Sequence, residues 1–387
     1  MPTQNNPLPD TVELLVGGQM QGDWSGYEVD SDLLTPADAW HVTLGMSMNL
    51  LAGHPSAGQM PPDVVAGAPV VVKISGDTVM TGRIDEVSHQ VTKSSHTLTI
   101  SGRDGAAVLL DCSAPIFTAQ MASLQEIVIK VVRPLGITKI RLDAAAIRTR
   151  EKISVEPGDS AWDVLSHAAE ANGLWPWFEP DGTLVIGGPD YSQPVSATLV
   201  LRRDGIGNNV LSLDKTESVA ERYSQVTVLG QTHSTSLEQG KNALQATEKD
   251  SGMSWYRPKI ITDHEADNAA ICRDRARKLI SDSRLKGLTL TATVQGHRIT
   301  STDGAGNGML WTPGQRIYVV SEPHGIAAIY FLMARKFTRS RNEGTRTTLT
   351  LKEDGAWLLD AHPHKNKHRR GKNDSTPHVQ ISDATQP

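Results

Sequence analysis

The sequence predicts a β-rich α+β protein, with two similar antiparallel β domains of the sandwich or barrel class and a smaller α/β domain between them. Three observations lead there. A strand, turn, strand, turn, strand pattern occurs twice, short alternating strands with Gly-rich turns fill both ends, and helix-strand units interrupt them. The first copy of the pattern runs from Gly67 to Ile74, turns at Ser75-Gly-Asp77, and continues through Thr81–Val87 and His96–Ile100. The second runs from Gly314 to Val320, turns at Glu322-Pro-His-Gly325, and continues through Tyr330–Phe337 and Thr347–Leu351. Val70, Val72 and Ile74 share one face, as do Ile317 and Val319, and Leu98/Ile100 match Leu349/Leu351. The offset drifts from 247 at Val70/Ile317 to 250 at Val87/Phe337 and 251 at Leu98/Leu349, with the insertions placed in turns, where they cost least.

The elements follow in order. Residues 1–10 are expected to be disordered, and 11–115 form the first β domain. Val12–Val16, Gly17-Gly18 and Gln19–Gly22 read as a hairpin, and Trp40, Val42 and Leu44 alternate onto one face. Ala52–Pro62 reads as a loop, and Ser101–Ala114 as a short helix turning out of the last strand. Residues 116–190 read as the α/β domain. Ser123-Leu-Gln-Glu126 fits a capping box before the stripe Leu124, Ile127, Val128 and Val131, and Arg133-Pro134 with Gly136 ends that helix. Ile137–Leu142 and Lys152–Val155 read as strands. Ser160 caps a second helix with Asp163 in its first turn, and Leu174–Phe178 with Thr183–Ile186 form a hairpin. Residues 191–358 form the second β domain. In it Thr232–Gly252 reads as polar and mobile, and Thr262-Asp-His-Glu265 as a capping box opening a helix near 263–280. Residues 359–387 read as a flexible His-rich, basic tail.

At 387 residues the chain exceeds one ordinary core, and its net charge is −5. No apolar run approaches the length that crosses a bilayer, and Met1–Asp10 lacks the pattern of a secretory signal. Cys112 and Cys272 sit in no metal-type or redox spacing and read as buried thiols. Gly304-Ala-Gly-Asn-Gly308 and Gly205-Ile-Gly-Asn-Asn209 resemble phosphate loops only superficially, because neither opens a helix; both read as turns. There is no GxSxG and no HExxH. Asp30/Asp32, Asp85/Glu86 and Glu217/Glu221 are the carboxylate pairs a glycoside hydrolase would need, but nothing in the sequence marks one as desolvated. Trp162, Trp175 and Trp177 read as core or domain interface in preference to a sugar platform. In the tail, His362-Pro-His364, His368 and His378 accompany Lys365, Lys367, Arg369, Arg370 and Lys372. An H-x-H pair repeated by symmetry is a metal-binding pattern, but a free hydrated tail is the preferred reading. Residues 362–387 carry formal +3, leaving −8 on the rest, which excludes a general nucleic-acid binder. No catalytic, cofactor-binding or metal-binding residue is assigned.

Several short motifs together resemble one family. They are Gly82-Arg-Ile-Asp85, Gly102-Arg-Asp104 with Leu110-Asp-Cys-Ser-Ala114, Pro157–Leu165, Asp181-Gly-Thr-Leu-Val185, Leu229-Gly-Gln231 and Trp311-Thr-Pro-Gly314. In this order, over residues 10 to 358, the chain resembles the baseplate hub proteins of Mu-like contractile-tailed bacteriophages. The resemblance implies two similar antiparallel β-barrel domains per chain and a homotrimer, and hence a pseudo-sixfold ring. It implies that this ring joins the sixfold tail tube to the threefold cell-puncturing spike. It also implies partners among other baseplate proteins, transient contact with the host envelope, residence in the virion and no catalytic residues. Three chains with two similar domains each present six quasi-equivalent edges, which independently suits a hexameric partner. The helix from Asp263, rich in Ala and basic residues, is expected to lay its Ala face on the barrel and show its charge to a neighbouring chain or to the ring interior. A cell-wall glycan-binding module and an envelope-degrading hydrolase are the competing readings.

Overall fold

The computed structural model describes residues 10–21, 24–46, 63–93, 96–115, 118–120, 124–143, 152–154, 158–170, 174–231, 243–263, 269–300, 304–357 and 379–380. The readings of Ala52–Pro62, of Ser123 in its capping box, of Glu265 and of the tail histidines lie outside them.

Thirteen strands join into one open sheet that runs through both β domains. The first half contributes β1 (Val12–Val16), β2 (Gln19–Gln21), β3 (Gly26–Asp32), β4 (Ala39–Met46), β5 (Pro69–Ile74), β6 (Asp77–Val91) and β7 (His96–Asp104). The hairpin of β1 and β2 is present, and Trp40 and Val42 are buried with Leu44 packed beside them. β7 leads into a short helix, α1 (Ala106–Asp111), as the sequence implies.

Between the halves lies the α/β unit. Its strands are β8 (Thr118–Gln120), β9 (Ile140–Leu142), β10 (Lys152–Ser154), β11 (Trp175–Phe178) and β12 (Leu184–Gly187). Its helices are α2 (Leu124–Ile127) and α3 (Ala161–Glu170). The expected stripe Leu124, Ile127, Val128 and Val131 is buried, but the helix does not stay α-helical. A π-turn (Val128–Val132) and a 3₁₀ turn (Arg133–Leu135) end it before left-handed Gly136. Ser160 does cap α3: its Oγ accepts the Asp163 N–H at 3.1 Å, and Asp163 accepts the Ser160 N–H at 3.2 Å.

The second half contributes β13 (Val195–Leu201), β14 (Ser212–Glu217), β18 (Leu288–Gln295), β19 (Arg316–Ser321), β20 (Ile326–Ser340) and β21 (Gly344–Glu353). Between β14 and β18 the structure sets apart a three-stranded sheet of β15 (Gln225–Gln231), β16 (Ala243–Lys249) and β17 (Pro258–Asp263), covered by α4 (Ala269–Gly287). Three expectations are corrected there. β16 lies inside the stretch read as mobile; its sequence alternates, and only the Leu244/Ala246 face meets the helix, so the composition looked polar. Thr262 pairs with Leu229 in β17 and so does not cap the helix, which starts later and ends later than 263–280. The inner face of α4, with Cys272, Ala276 and Ile280, packs on Val226 and Val228 of this small sheet, and Leu285 near its end packs against Phe331 and Met333 of the large one. Cys272 is buried as expected, while Cys112 is only half-buried. In the tail, β22 (Val379–Gln380) pairs with β9.

The duplication extends further than the sequence pattern. In the first half the sheet order is β3-β4-β7-β6-β5-β1, and in the second it is β14-β18-β21-β20-β19-β13. Corresponding strands also follow one another in the same chain order. The two long middle strands each span 15 residues and each carry a bulge, between Ile84 and Glu86 in β6 and between Leu332 and Ala334 in β20. Aligning the bulges places Ile84 on Leu332, an offset of 248, and Ile100 on Leu349, an offset of 249. Val70 stays on Ile317, at 247, as the sequence has it. The sequence offsets of 250 and 251 are therefore two residues long. A slip of two keeps every side chain on its face, so periodicity cannot detect it. The copies differ at one end: β1 runs antiparallel to β5, whereas β13 runs parallel to β19.

Candidate functional site at the joint of the two halves

The halves are welded by backbone pairing. The first half of β20 pairs with β19 through Ile326–Phe331; beyond the bulge its second half pairs with β3, from Ala334↔Asp32 to Arg339↔Tyr27. The bulge lets one strand serve two partners, and residues 330 to 335 are buried on both faces. Tyr330, Leu332 and Phe337 enter the main core, while Phe331 and Met333 enter a second cluster with Leu285 and Trp357.

Polar groups gather under this weld. Arg335 is 3% exposed, its guanidinium lies 3.9 Å from the Phe337 ring centre, and its Nε and Nη1 have no hydrogen-bond partner among the described residues. Burial lowers its pKa to about 10, so it stays charged at neutral pH, facing Asp38 and Asp30. Desolvation pushes Asp38 up to about 6 and Asp104 well above the carboxylate range, with Asp38 the next cause for Asp104. Asp38 accepts the Asp32 N–H at 3.0 Å and the Ser31 hydroxyl; Asp104 accepts the Ala106 N–H at 2.9 Å, closing the turn that leads into α1. His297 is fully buried. It lies 2.8 Å from Tyr27 Oη and 3.0 Å from Thr347 Oγ1, and Asp10 accepts its backbone N–H at 2.7 Å. Burial, then the charge of Arg335, lowers its pKa to about 3. Asp10, assigned to the disordered N-terminus by sequence, is thus fixed at the joint.

A cleft of ≈ 190 Å³ opens beside Arg335, Asp38 and Asp104, with Met80, Phe178 and Thr312 among its walls. Two desolvated carboxylates in a cleft are what a carboxylate hydrolase would show. Here both are engaged by backbone amides, and the buried Arg335 guanidinium counters Asp38 while Arg103 counters Asp104, so neither carboxylate is left free for chemistry. Sequence reasoning missed Asp38 and His297, which lie in no motif, and Arg335, which stands in the second copy of the repeat but reads there only as part of a strand; Asp104 stood in Gly102-Arg-Asp104.

The carboxylate pairs named from sequence are dispersed. Asp85 holds Arg103 at 2.7 Å, and Glu221 pairs with Lys286. Asp30 and Asp32 lie on β3 at the weld, Glu86 on the exposed side of β6, and Glu217 at the end of β14. The two Gly-rich segments are turns, and neither opens a helix. Trp162 is buried edge-on against Trp175, whose Nε1 donates to the Leu33 carbonyl at 2.7 Å, which places both between the α/β unit and the sheet. Trp177 lines the cleft. No helix among the described residues is long and apolar enough to cross a membrane.

Three of the family motifs are local packing and turn geometry. A Cβ on Gly82 would lie 2.0 Å from the Arg103 carbonyl oxygen, and one on Gly102 would lie 2.1 Å from that of Arg83. Arg103 then bridges Asp85 and Asp111, tying the bulge of β6 to α1. The turn at Asp181-Gly-Thr183 is closed by Asp181 accepting the Thr183 N–H at 3.0 Å.

Comparisons with known proteins match this architecture. Four family models cover successive stretches: Mu phage baseplate assembly protein GpP-like, N-terminal, at 11–104; baseplate hub protein gp44-like, second domain, at 106–188; tail protein NMB1110-like, third domain, at 222–280; and tail protein, C-terminal domain, at 282–356. The baseplate hub protein gp44 of Escherichia phage Mu is 25% identical over 94% of this chain and 93% of its own. The crystal structure of a tail protein from Neisseria meningitidis MC58 is 39% identical with a TM-score of 0.78, over 92% of this chain and all of that one. The 43 kDa tail protein of prophage MuSo2 from Shewanella oneidensis shares the fold at 23% identity and a TM-score of 0.76, over 90% of this chain and all of that one.

Proposed function

Because the chain belongs to the baseplate hub family of Mu-like phages, and is a structural protein of the virion's tail baseplate and not an enzyme, we propose that it works as a homotrimer. Each half closes into a barrel when neighbours are present, and the three chains present six similar half-units. The ring so formed adapts the sixfold tail tube to the threefold cell-puncturing spike, and meets the host envelope transiently during penetration. It does so through surfaces alone, with no catalytic, cofactor or metal residue and no specific nucleic acid. The barrel domains are 11–115 and 191–358, the second interrupted by the small sheet and α4, with the α/β unit 116–190 between them.

The observation that carries this reading is the six-strand duplication, bulge included. A chain that repeats one unit twice offers a threefold assembly six near-equivalent positions. Mass measurement of the purified protein, with imaging of the particles, tests it. A stable trimer forming a ring of sixfold appearance is expected; a monomer at all attainable concentrations overturns it.

A further inference from the structure

The two halves are joined inside the chain by β3 lying against the second half of β20. The duplication gives each of these elements a counterpart. The counterpart of β20 is β6, whose first half pairs with β5 through Asp77–Arg83 just as β20 pairs with β19. Beyond its bulge, Glu86–Val91 pairs with β7 alone among the described strands. The counterpart of β3 is β14, which pairs with β18 and ends the large sheet. The chain therefore carries one occupied joint and, separated, the two elements of a second. Both are exposed: Val91 is 62% accessible, and the last four side chains of β14, Asp214–Glu217, stand open to solvent. Long unpaired edges of this kind are templates for another strand.

We propose that in the trimer β14 of one protomer adds antiparallel to Glu86–Val91 of the next, in the register of the β3–β20 joint. This rests on the trimeric reading above. The register follows from shared partners. Tyr27 opposes Val42, which opposes Ile100; Leu213 opposes Ala292, which opposes Leu349, so Leu213 stands where Tyr27 does. Aligned bulges put Val91 where Arg339 stands, and Arg339 pairs with Tyr27. The inter-protomer pairs are then Val91↔Leu213, Gln90↔Asp214 and Ser88↔Thr216. Val91 is brought onto the apolar side beside Leu213, and no two carboxylates stand directly opposite, so the pairing covers apolar surface without like-charge cost. The contact is head-to-tail, a mode that closes into a ring when its rotation matches the symmetry. Three such joints alternate with the three inside the chains, making six.

The test is oxidation of the double variant Ser88→Cys/Thr216→Cys, since opposed Cβ atoms in an antiparallel pair lie near disulfide distance. Covalent dimers and trimers are expected on a non-reducing gel, absent from either single variant and at least about tenfold weaker in the off-register pair Ser88→Cys/Asp214→Cys. Hydrogen exchange of the unmodified chain reads the same joint without substitution: amides in 86–91 and 212–217 should slow on assembly. A protein that is trimeric by mass but neither cross-links in this register nor protects these amides overturns the pairing and leaves the ring standing. A protein that stays monomeric removes both.

Discussion

Gly82 and Gly102 sit where β6 and β7 approach so closely that neither tolerates a Cβ without moving a backbone carbonyl. Gly102→Ala should lower the unfolding free energy by about 1–3 kcal/mol, as overpacking does, seen as a lower urea midpoint. His297 carries the clearest pH dependence. Its folded pKa, about 3, is below its ordinary value of 6.5, so its contribution is complete above pH 6.5 and is lost as pH falls from there towards 3. Asp38 works in the opposite sense: its folded pKa is raised to about 6, so its contribution is complete below about 4 and declines as pH rises through 6. His297→Phe should be less stable at neutral pH yet show a flatter acid limb, by up to about 1.4 kcal/mol per pH unit. Urea midpoints from pH 4 to 8 would show it. Arg335→Met removes the cation facing Asp38, raises that carboxyl further, and should cost most stability above pH 6. An equal loss at pH 4 and pH 8 would refute the role given to Arg335.

At the scale of elements, the bulge of β20 lets one strand pair with β19 and then with β3, and the bulge of β6 repeats the geometry with half its edge open. The α3 helix depends on a different device, the reciprocal bonds between Ser160 and Asp163. Ser160→Ala should cost about 1 kcal/mol, read from thermal unfolding. The strands were legible because alternation marks them directly, as in Trp40-His-Val-Thr-Leu44. β16 was not, because a strand with one solvated face and no large aliphatic run resembles a polar loop. The π-turn after Ile127 was not legible either, since the apolar stripe is the same for both helix types over one turn.

For the whole molecule, the unit carried between β14 and β18 is an insertion in the plain geometric sense. Glu217 and Leu288 are paired neighbours, and the Ser218 N–H donates to the Gly287 carbonyl at 2.9 Å, so the chain leaves and returns at one point. The corresponding link between β3 and β4 is a short loop. Replacing 219–286 by a two-residue Asn-Gly turn should leave the thirteen-stranded sheet folded, with a lower melting point because Leu285 leaves its cluster with Phe331 and Trp357. Circular dichroism and a single cooperative transition would confirm it; a molten chain would show that the insertion is integral to the sheet.

Local patterns along the chain suffice for the β-rich class, the existence of a duplication, the order of most strands and, through short motifs, the family. Those properties are written in local periodicity and turn chemistry, which act over a few residues. The register of the duplication, the weld of β20 to β3 and the buried cluster of Asp38, Asp104, His297 and Arg335 emerge only when the chain is folded. Each of these depends on contacts between residues far apart in the chain. A two-residue slip looks the same to any period-two pattern, and a desolvated charge looks like a surface charge until its neighbours are in place.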